Sequence, residues 1–205
     1  MRTFPDVRMR KLHGLASRGM EAYQAQDFLP ALQHYRELLG QLDALGLKSA
    51  WVHWALAVTH DNLGEFDMAL NAIRKSLAMD PLSPSAQRSF EIIACRVRDQ
   101  LHALPAEDPS VPRLYGLLQQ SGDIDVSTHL VMVRHFAATA HPEQAEQLLA
   151  ALSLTAPASR DVWNERAHLA RQKGDLAAAA EFEAESRGRA LRDVPFAIPT
   201  PHQEG

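Results

Sequence analysis

Small and apolar residues recur along this chain at helical spacing, and the pattern is most regular between Trp51 and Pro81. Within that stretch Ala57 lies in the middle of one predicted helix, Gly64 begins a turn, and Ala69 lies early in a second helix. Small side chains at Ala57 and Ala69 allow two antiparallel helices to approach closely where they cross. Pro81 cannot continue the second helix, so the stretch predicts one complete helical hairpin.

The separation of 12 residues between Ala57 and Ala69 recurs elsewhere in the chain, which indicates an internal repeat. The further pairs with this separation are Gly19 and Ala31, Val133 and Ala145, and Ala167 and Ala179. Each pair predicts a hairpin of the same kind, and the pair at Val133 is the weakest because valine is not small.

Successive second-helix alanines lie 38, 76 and 34 residues apart, against about 34 for a repeat of this type. The first step carries extra residues, which we place in the loop 45–48. The 76-residue step leaves room for one degenerate unit. For that unit the sequence predicts a long helix from Pro84 to about Ala103 and a short one from Pro112 to Gln120, separated by the proline-rich segment 105–112.

Over roughly residues 12–190 this pattern resembles that of tetratricopeptide-repeat (TPR) proteins, although Arg18, Met132 and Arg166 stand where that family usually has a leucine. The resemblance implies an all-α fold: a right-handed α-solenoid of TPR-like helical hairpins, about four to five units with a degenerate middle one. It also implies a concave groove that binds peptides or protein surfaces, and no catalysis. The predicted segments are an N-terminal extension (1–11), two hairpins (12–81), a degenerate hairpin (82–125), two further hairpins (126–192) and a disordered tail (193–205).

In the family that the chain resembles, first-helix positions that are not used at the hairpin crossing line the groove. Trp51 and Trp54 lie three residues apart on one helix face, and we predict that they anchor a partner. The alternative is that both pack against the preceding hairpin, since tryptophan is well buried on average. By this reasoning the N-terminal groove is apolar and the C-terminal groove polar. The predicted partner-binding residues are Met20, Tyr23, Trp51, Trp54, Val58, Asn62, Arg134, Asn164, His168 and Arg171.

Composition and charge narrow the possible functions. The chain has 205 residues, 46% of them hydrophobic, and a formal net charge of −4, which does not suit a nucleic-acid surface. No apolar run approaches the length of a membrane span, and no apolar core of signal-peptide length follows the basic N-terminus. The single cysteine, Cys95, cannot form an internal disulfide, which favours a cytoplasmic protein.

Candidate catalytic and metal-binding chemistry is weak. The chain has no phosphate-binding glycine loop, no nucleophile elbow and no zinc-protease helix, so we predict no catalytic residues and no cofactor. The ten histidines lack ligand spacing and are interpreted as scattered surface residues. Cys95, in an apolar helical context, is predicted to be a buried structural thiol. Arg96 and its charged neighbours are interpreted as a solvated helix face.

The sequence therefore favours a non-enzymatic protein–protein interaction module, an adaptor or scaffold that binds a peptide or helix of a partner. An alternative is a chaperone for an exported or aggregation-prone client, similar to bacterial secretion chaperones. An enzyme subunit or a metal-dependent activity is the third possibility. A homodimer formed through the last hairpin stays open, as does binding of the tail, through Phe196 and Ile198, to the chain's own groove.

Overall fold

The structure is a computed structural model that describes residues 5–122 and 124–190, and within those ranges it contains ten α-helices and no strand. This confirms the predicted all-α fold class. The helices are α1 (Pro5–Gln24), α2 (Phe28–Ala44), α3 (Ala50–Asn62), α4 (Phe66–Met79), α5 (Pro84–Ala103), α6 (Val111–Ser121), α7 (Val126–Ala138), α8 (Pro142–Thr155), α9 (Arg160–Gln172) and α10 (Leu176–Ala190).

Four hairpins are formed by neighbouring helices that pack closely on each other: α1 with α2, α3 with α4, α7 with α8, and α9 with α10. Successive hairpins are joined by contacts of α2 with α3 and of α8 with α9. The fold therefore repeats one supersecondary unit, as the 12-residue spacing predicted.

Small residues lie where the two helices cross in the α1–α2, α3–α4 and α9–α10 hairpins, whereas the pair in α7–α8 is Val133 and Ala145. Ala57 and Ala69 are fully buried, and Ala167 and Ala179 are each 2% exposed. At Gly19 the approach is closer still. A Cβ atom added there would lie 2.5 Å from Cε1 of the buried Tyr35, so only glycine fits without a shift of the ring.

The turn inside each of these hairpins uses one residue in the left-handed backbone region. These residues are Gln26 (φ 61°), Gly64 (φ 72°), Ala140 (φ 62°) and Gly174 (φ 81°). They follow one another at the same steps of 38, 76 and 34 residues as the second-helix alanines. Glycine adopts this conformation without penalty, whereas Gln26 and Ala140 carry a steric cost at the same turn position.

The degenerate middle of the chain is helical at the predicted places. Helix α5 spans Pro84–Ala103, and α6 spans Val111–Ser121, one residue longer at each end than predicted. At the N-terminus, helix α1 already begins at Pro5, so residues 5–11 of the predicted extension belong to the first helix. The predicted tail (193–205), with Phe196 and Ile198, lies outside the described residues.

The chain divides into two compact units, each with its own core. Unit 1 comprises Met1–Gln100 and Gly116–Asp123, and unit 2 comprises Leu101–Tyr115 and Ile124–Gly205. Leu15, Tyr35 and Leu56 are among the buried residues of the core in unit 1, and Leu149 and Val162 are among those in unit 2.

Two sequence-based interpretations of polar residues are wrong. Cys95 is exposed, with Sγ 3.7 Å from Asp99 Oδ2, because the inward face of α5 is taken by its neighbours Ile93 and Ala94. The histidines are not uniformly on the surface, since His53, His60 and His135 are buried. His60 is held by a side-chain contact of 2.5 Å between Nδ1 and Glu65 Oε2. Local apolar context and residue type did not predict burial in either case.

Candidate partner-binding site

Both predicted anchor tryptophans line one pocket of about 410 Å³ in unit 1, which we call the tryptophan pocket. The start of α3 supplies the tryptophans, the end of α4 supplies Ser76 and Asp80, and the chain around the start of α5 supplies two serines. Its principal lining residues are Trp51, Trp54, Ser76, Asp80, Ser83 and Ser85.

Neighbouring side chains hold the two indoles of the tryptophan pocket in place. Trp51 is 38% exposed and meets the ring of Tyr35 edge to face, with ring centroids 5.8 Å apart and an interplanar angle of 85°. Trp54 is partly buried, and its Nε1 donates a hydrogen bond to Ser89 Oγ at 2.9 Å. Trp51 thus packs on α2 of the preceding hairpin while part of its surface stays open, and Trp54 is tied to α5.

The polar lining of the tryptophan pocket consists of hydroxyls and one carboxylate. Ser76 Oγ donates to the carbonyl of Ala50 at 2.9 Å, which joins the end of α4 to the start of α3. Ser83 Oγ accepts from the amide of Ala86 at 3.4 Å, at the start of α5. Asp80, the residue that ends α4, is exposed, and its carboxylate forms no hydrogen bond or ion pair within the described residues.

The remaining predicted residues of unit 1 lie toward the other end of α3. Asn62 Nδ2 donates to Tyr23 Oη at 3.1 Å and to the carbonyl of Val58 at 2.7 Å, which connects α1 with α3. Met20, one turn before Tyr23 on α1, is 46% exposed. Trp54 and Asn62 are eight residues apart, or about 12 Å along the helix axis. The predicted set therefore extends along α3 as two separate groups of side chains.

An ion pair between the buried Asp61 of α3 and the half-exposed Arg96 of α5 was not predicted from the sequence. Asp61 is 8% exposed, and its Oδ2 lies 2.5 Å from Nη1 of Arg96. Burial raises the pKa of the Asp61 carboxyl, and the positive charge of Arg96 partly opposes that shift. The other carboxylate oxygen, Oδ1, is buried without a hydrogen-bond partner among the described residues. Arg96 is therefore the partner of a buried carboxylate, while its own side chain stays 50% exposed on the helix face that the sequence predicted to be solvated.

In unit 2, two of the predicted residues share a pocket of about 520 Å³. Arg134 of α7 and His168 of α9 line it together with the alanines at positions 106, 137 and 138. Arg134 Nε donates to Glu165 Oε2 at 2.9 Å, and His168 Nε2 is 3.0 Å from Gln172 Nε2. Glu107, from the proline-rich segment, lines the same pocket.

The other two predicted residues of unit 2, Asn164 and Arg171, do not line this pocket. They contact α10 instead, where Asn164 Oδ1 accepts from Ser186 Oγ at 2.6 Å and Arg171 forms an ion pair with Glu183. Their side chains therefore hold the last hairpin together. Glu107 was not among the predicted residues, because its place in the pocket depends on how the proline-rich segment 105–112 packs beside α7.

One hydrogen bond connects that segment to α7. His135 Nδ1 lies 2.7 Å from the carbonyl oxygen of Ala106. His129, six residues earlier on α7, is hydrogen-bonded through Nδ1 to Tyr115 Oη at 2.7 Å, and burial lowers the pKa of its imidazole. In the part of the chain that the structure describes, no group of three or more His, Cys, Asp or Glu side chains is placed to hold a metal ion. Among the described helices, none combines the length and the apolar character needed to cross a membrane.

Similarity of this chain to known proteins is limited to solved structures. No protein-family model matches it, and no curated protein does. Solved structures with similarity include a "Crystal structure of MamA protein", at 11% identity and a TM-score of 0.43 over 93% of this chain and 97% of that one. "MamA 41-end from Desulfovibrio magneticus RS-1" has 11% identity and a TM-score of 0.40 over 90% and 97%. "MamA RS-1 ArsTM double mutant" has 12% identity and a TM-score of 0.41 over 90% of this chain and 97% of that one. No residue role is transferred from these chains to this one.

Proposed function

We propose that this protein is a non-enzymatic interaction module, an adaptor or scaffold that holds a peptide or helix of a partner protein on the first helices of its hairpins. The observation that carries the proposal is the tryptophan pocket, in which Trp51 and Trp54 line a cavity of about 410 Å³ while Trp51 is 38% exposed. Tryptophan is enriched at binding hot spots because it combines a large apolar area with a hydrogen-bond donor.

The contacts of the two indoles also favour binding. Trp51 rests on Tyr35, and Trp54 is tethered to Ser89, so neither side chain needs much ordering when a ligand arrives. Ordering a side chain at an interface costs roughly 0.5–1.5 kcal/mol, and a side chain that is already held avoids most of that cost. A pocket built from such residues is preorganised for a partner.

The proposal is tested by affinity enrichment of partners from the native cell extract, read by mass spectrometry, with the wild-type chain and the variant Trp51→Ser. Leu154→Ser is the matched control, because Leu154 is 84% exposed and lies on α8 in the other unit. We expect specific partners to be retained by the control and lost from Trp51→Ser. Partners that bind Trp51→Ser as well as wild type would contradict the proposed site.

A second candidate function, a chaperone for an exported or aggregation-prone client, is favoured by a different observation. Four methionines of unit 1 are between 40% and 59% exposed: Met9, Met20, Met68 and Met79. Methionine is flexible and polarizable, and it suits surfaces that accept varied apolar segments. The chaperone proposal predicts that substoichiometric protein suppresses light scattering by a denatured model client. No suppression at a molar excess of this protein would remove that alternative.

A further inference from the structure

We propose that the tryptophan pocket takes an arginine side chain of the partner, so that the partner segment is basic. The inference rests on the proposed function, since it assigns the chemistry of the same site. It is argued from the aromatic walls of the pocket, its charge, and the hydroxyls around it.

The walls of the pocket suit a cation. Indole rings attract a cation over their faces more strongly than the other aromatic side chains do, and a cation–π contact contributes about 0.5–1 kcal/mol at exposed sites and more where water is excluded. Two indoles, those of Trp51 and Trp54, line this one pocket. Cationic side chains already use aromatic rings in this chain, because the guanidinium of Arg166 lies 4.4 Å from the ring centroid of Phe182 and 5.4 Å from that of Trp163.

The charge of the pocket has the complementary sign. Asp80 is the one residue of the lining with a formal charge, and within the described residues its carboxylate has no hydrogen-bond or ion-pair partner. Asp80 also ends α4, where the carbonyl end of a helix favours positive charge. Helices α3 and α5 begin nearby. At each start a serine hydroxyl accepts a hydrogen bond from a backbone amide, Ser49 from Val52 and Ser83 from Ala86, so these two amides already have partners.

The hydroxyls favour arginine over lysine. A guanidinium is planar, stacks on an aromatic face and donates several hydrogen bonds in one plane, so it can bind the Asp80 carboxylate in bidentate fashion while it rests on an indole. Serine hydroxyls at 83 and 85 offer further acceptors on the same lining. An ammonium group is a compact, strongly hydrated charge and uses fewer of these partners.

The test is a titration of the full chain, carrying Trp163→Phe so that Trp51 and Trp54 are its only fluorescent indoles, with the peptide Ac-Gly-Arg-Gly-amide. The same peptide with citrulline is the matched probe, because it keeps the shape of arginine and removes the charge. Peptides with lysine or glutamate complete the set. We expect saturable change of tryptophan fluorescence with arginine, at least about tenfold weaker binding with citrulline, and intermediate binding with lysine.

Two protein variants assign the response to the pocket. Asp80→Asn is expected to weaken binding of the arginine peptide at least about tenfold. Asp27→Asn is the matched control, since it removes the same charge from an exposed position at the start of α2 and asparagine is an equally good residue there. Circular dichroism of each variant verifies that it is folded.

The outcomes separate this inference from the proposed function. Equal responses to arginine and citrulline, equal effects of the two aspartate variants, or tighter binding of glutamate would overturn the arginine assignment. If partners from the extract still depend on Trp51 in that case, the interaction site stands and only its ligand chemistry is wrong. If partners ignore Trp51 while the arginine peptide binds, the proposed function fails at this site and the pocket binds a basic group of another origin.

Discussion

Helices α1 and α2 approach closely at Gly19. Replacing Gly19 by alanine is therefore expected to destabilise the protein, whereas the same replacement of Gly14 on the same helix is expected to stabilise it. A Cβ atom at position 19 would lie 2.5 Å from Cε1 and 2.8 Å from Cδ1 of Tyr35, whereas carbon atoms in contact normally lie about 3.5–4.0 Å apart. Tyr35 is 3% exposed and its ring rests against Trp51, so the ring must shift by about 1 Å within a packed core. At Gly14, on the same helix, an added Cβ atom meets nothing within 4 Å.

The magnitudes follow from overpacking and helix propensity. Overpacking a core lowers the free energy of unfolding by about 1–3 kcal/mol, and replacing a glycine inside a helix by alanine raises it by about 0.5–1 kcal/mol. We therefore expect Gly19→Ala to lower the free energy of unfolding by about 1 kcal/mol, within a range of about 0–2.5 kcal/mol, and Gly14→Ala to raise it by about 0.5–1 kcal/mol.

Urea unfolding of both variants and wild type, followed by far-ultraviolet circular dichroism and by tryptophan fluorescence, measures the two changes. The fluorescence of Gly19→Ala is also expected to differ from wild type in the folded state, because the displaced Tyr35 ring contacts Trp51. A Gly19→Ala variant as stable as Gly14→Ala would refute the reasoning, since the two substitutions differ only in the space around the new methyl group.

Three further expectations concern the turns and the buried charges. Gln26 and Gly64 both have positive φ, so Gln26→Gly should stabilise the protein by about 0.5–1 kcal/mol and Gly64→Ala should destabilise it by about 1 kcal/mol or more. Thermal unfolding measures both changes, and changes of the same sign would contradict this. Arg96→Ala should cost about 1–3 kcal/mol at neutral pH, between the values for exposed and buried pairs, since it strips the buried Asp61 of its counter-ion. The cost of Arg96→Ala should shrink as the pH falls, because the Asp61 carboxyl, whose folded pKa is raised, then takes up a proton and loses the charge that Arg96 balances. An equal cost in urea unfolding at neutral and acidic pH would contradict this expectation.

Much of the fold could be predicted because its pattern is local. The small residues at helix crossings recur at a constant separation, and proline and glycine bound the helices near the predicted positions, so α5 has the bounds that the sequence predicted. The turn position is a further local feature, yet Gln26 and Ala140 occupy it without the glycine that would reveal it. Residue type alone could not predict their conformation, because the surrounding hairpin holds it in place.

The candidate site depended more on contacts between distant parts of the chain. Spacing on one helix placed Trp51 and Trp54 together, since residues three apart share a face. Sequence spacing could not separate Asn164 and Arg171 from His168, although the first two contact α10 and the third lines a pocket with Arg134.

The sequence by itself determined the helices, their pairing into hairpins and the small residues at their crossings, because these follow from period and local sterics. Only the tertiary structure decided which polar groups are buried and with whom. Asp61 meets Arg96 across 35 positions of sequence, and Trp54 meets Ser89 across the same distance. Asp80 lies beside the two indoles because three helix ends converge at one pocket. These contacts depend on how whole helices pack on each other, so the periodicity of residues within one helix does not predict them.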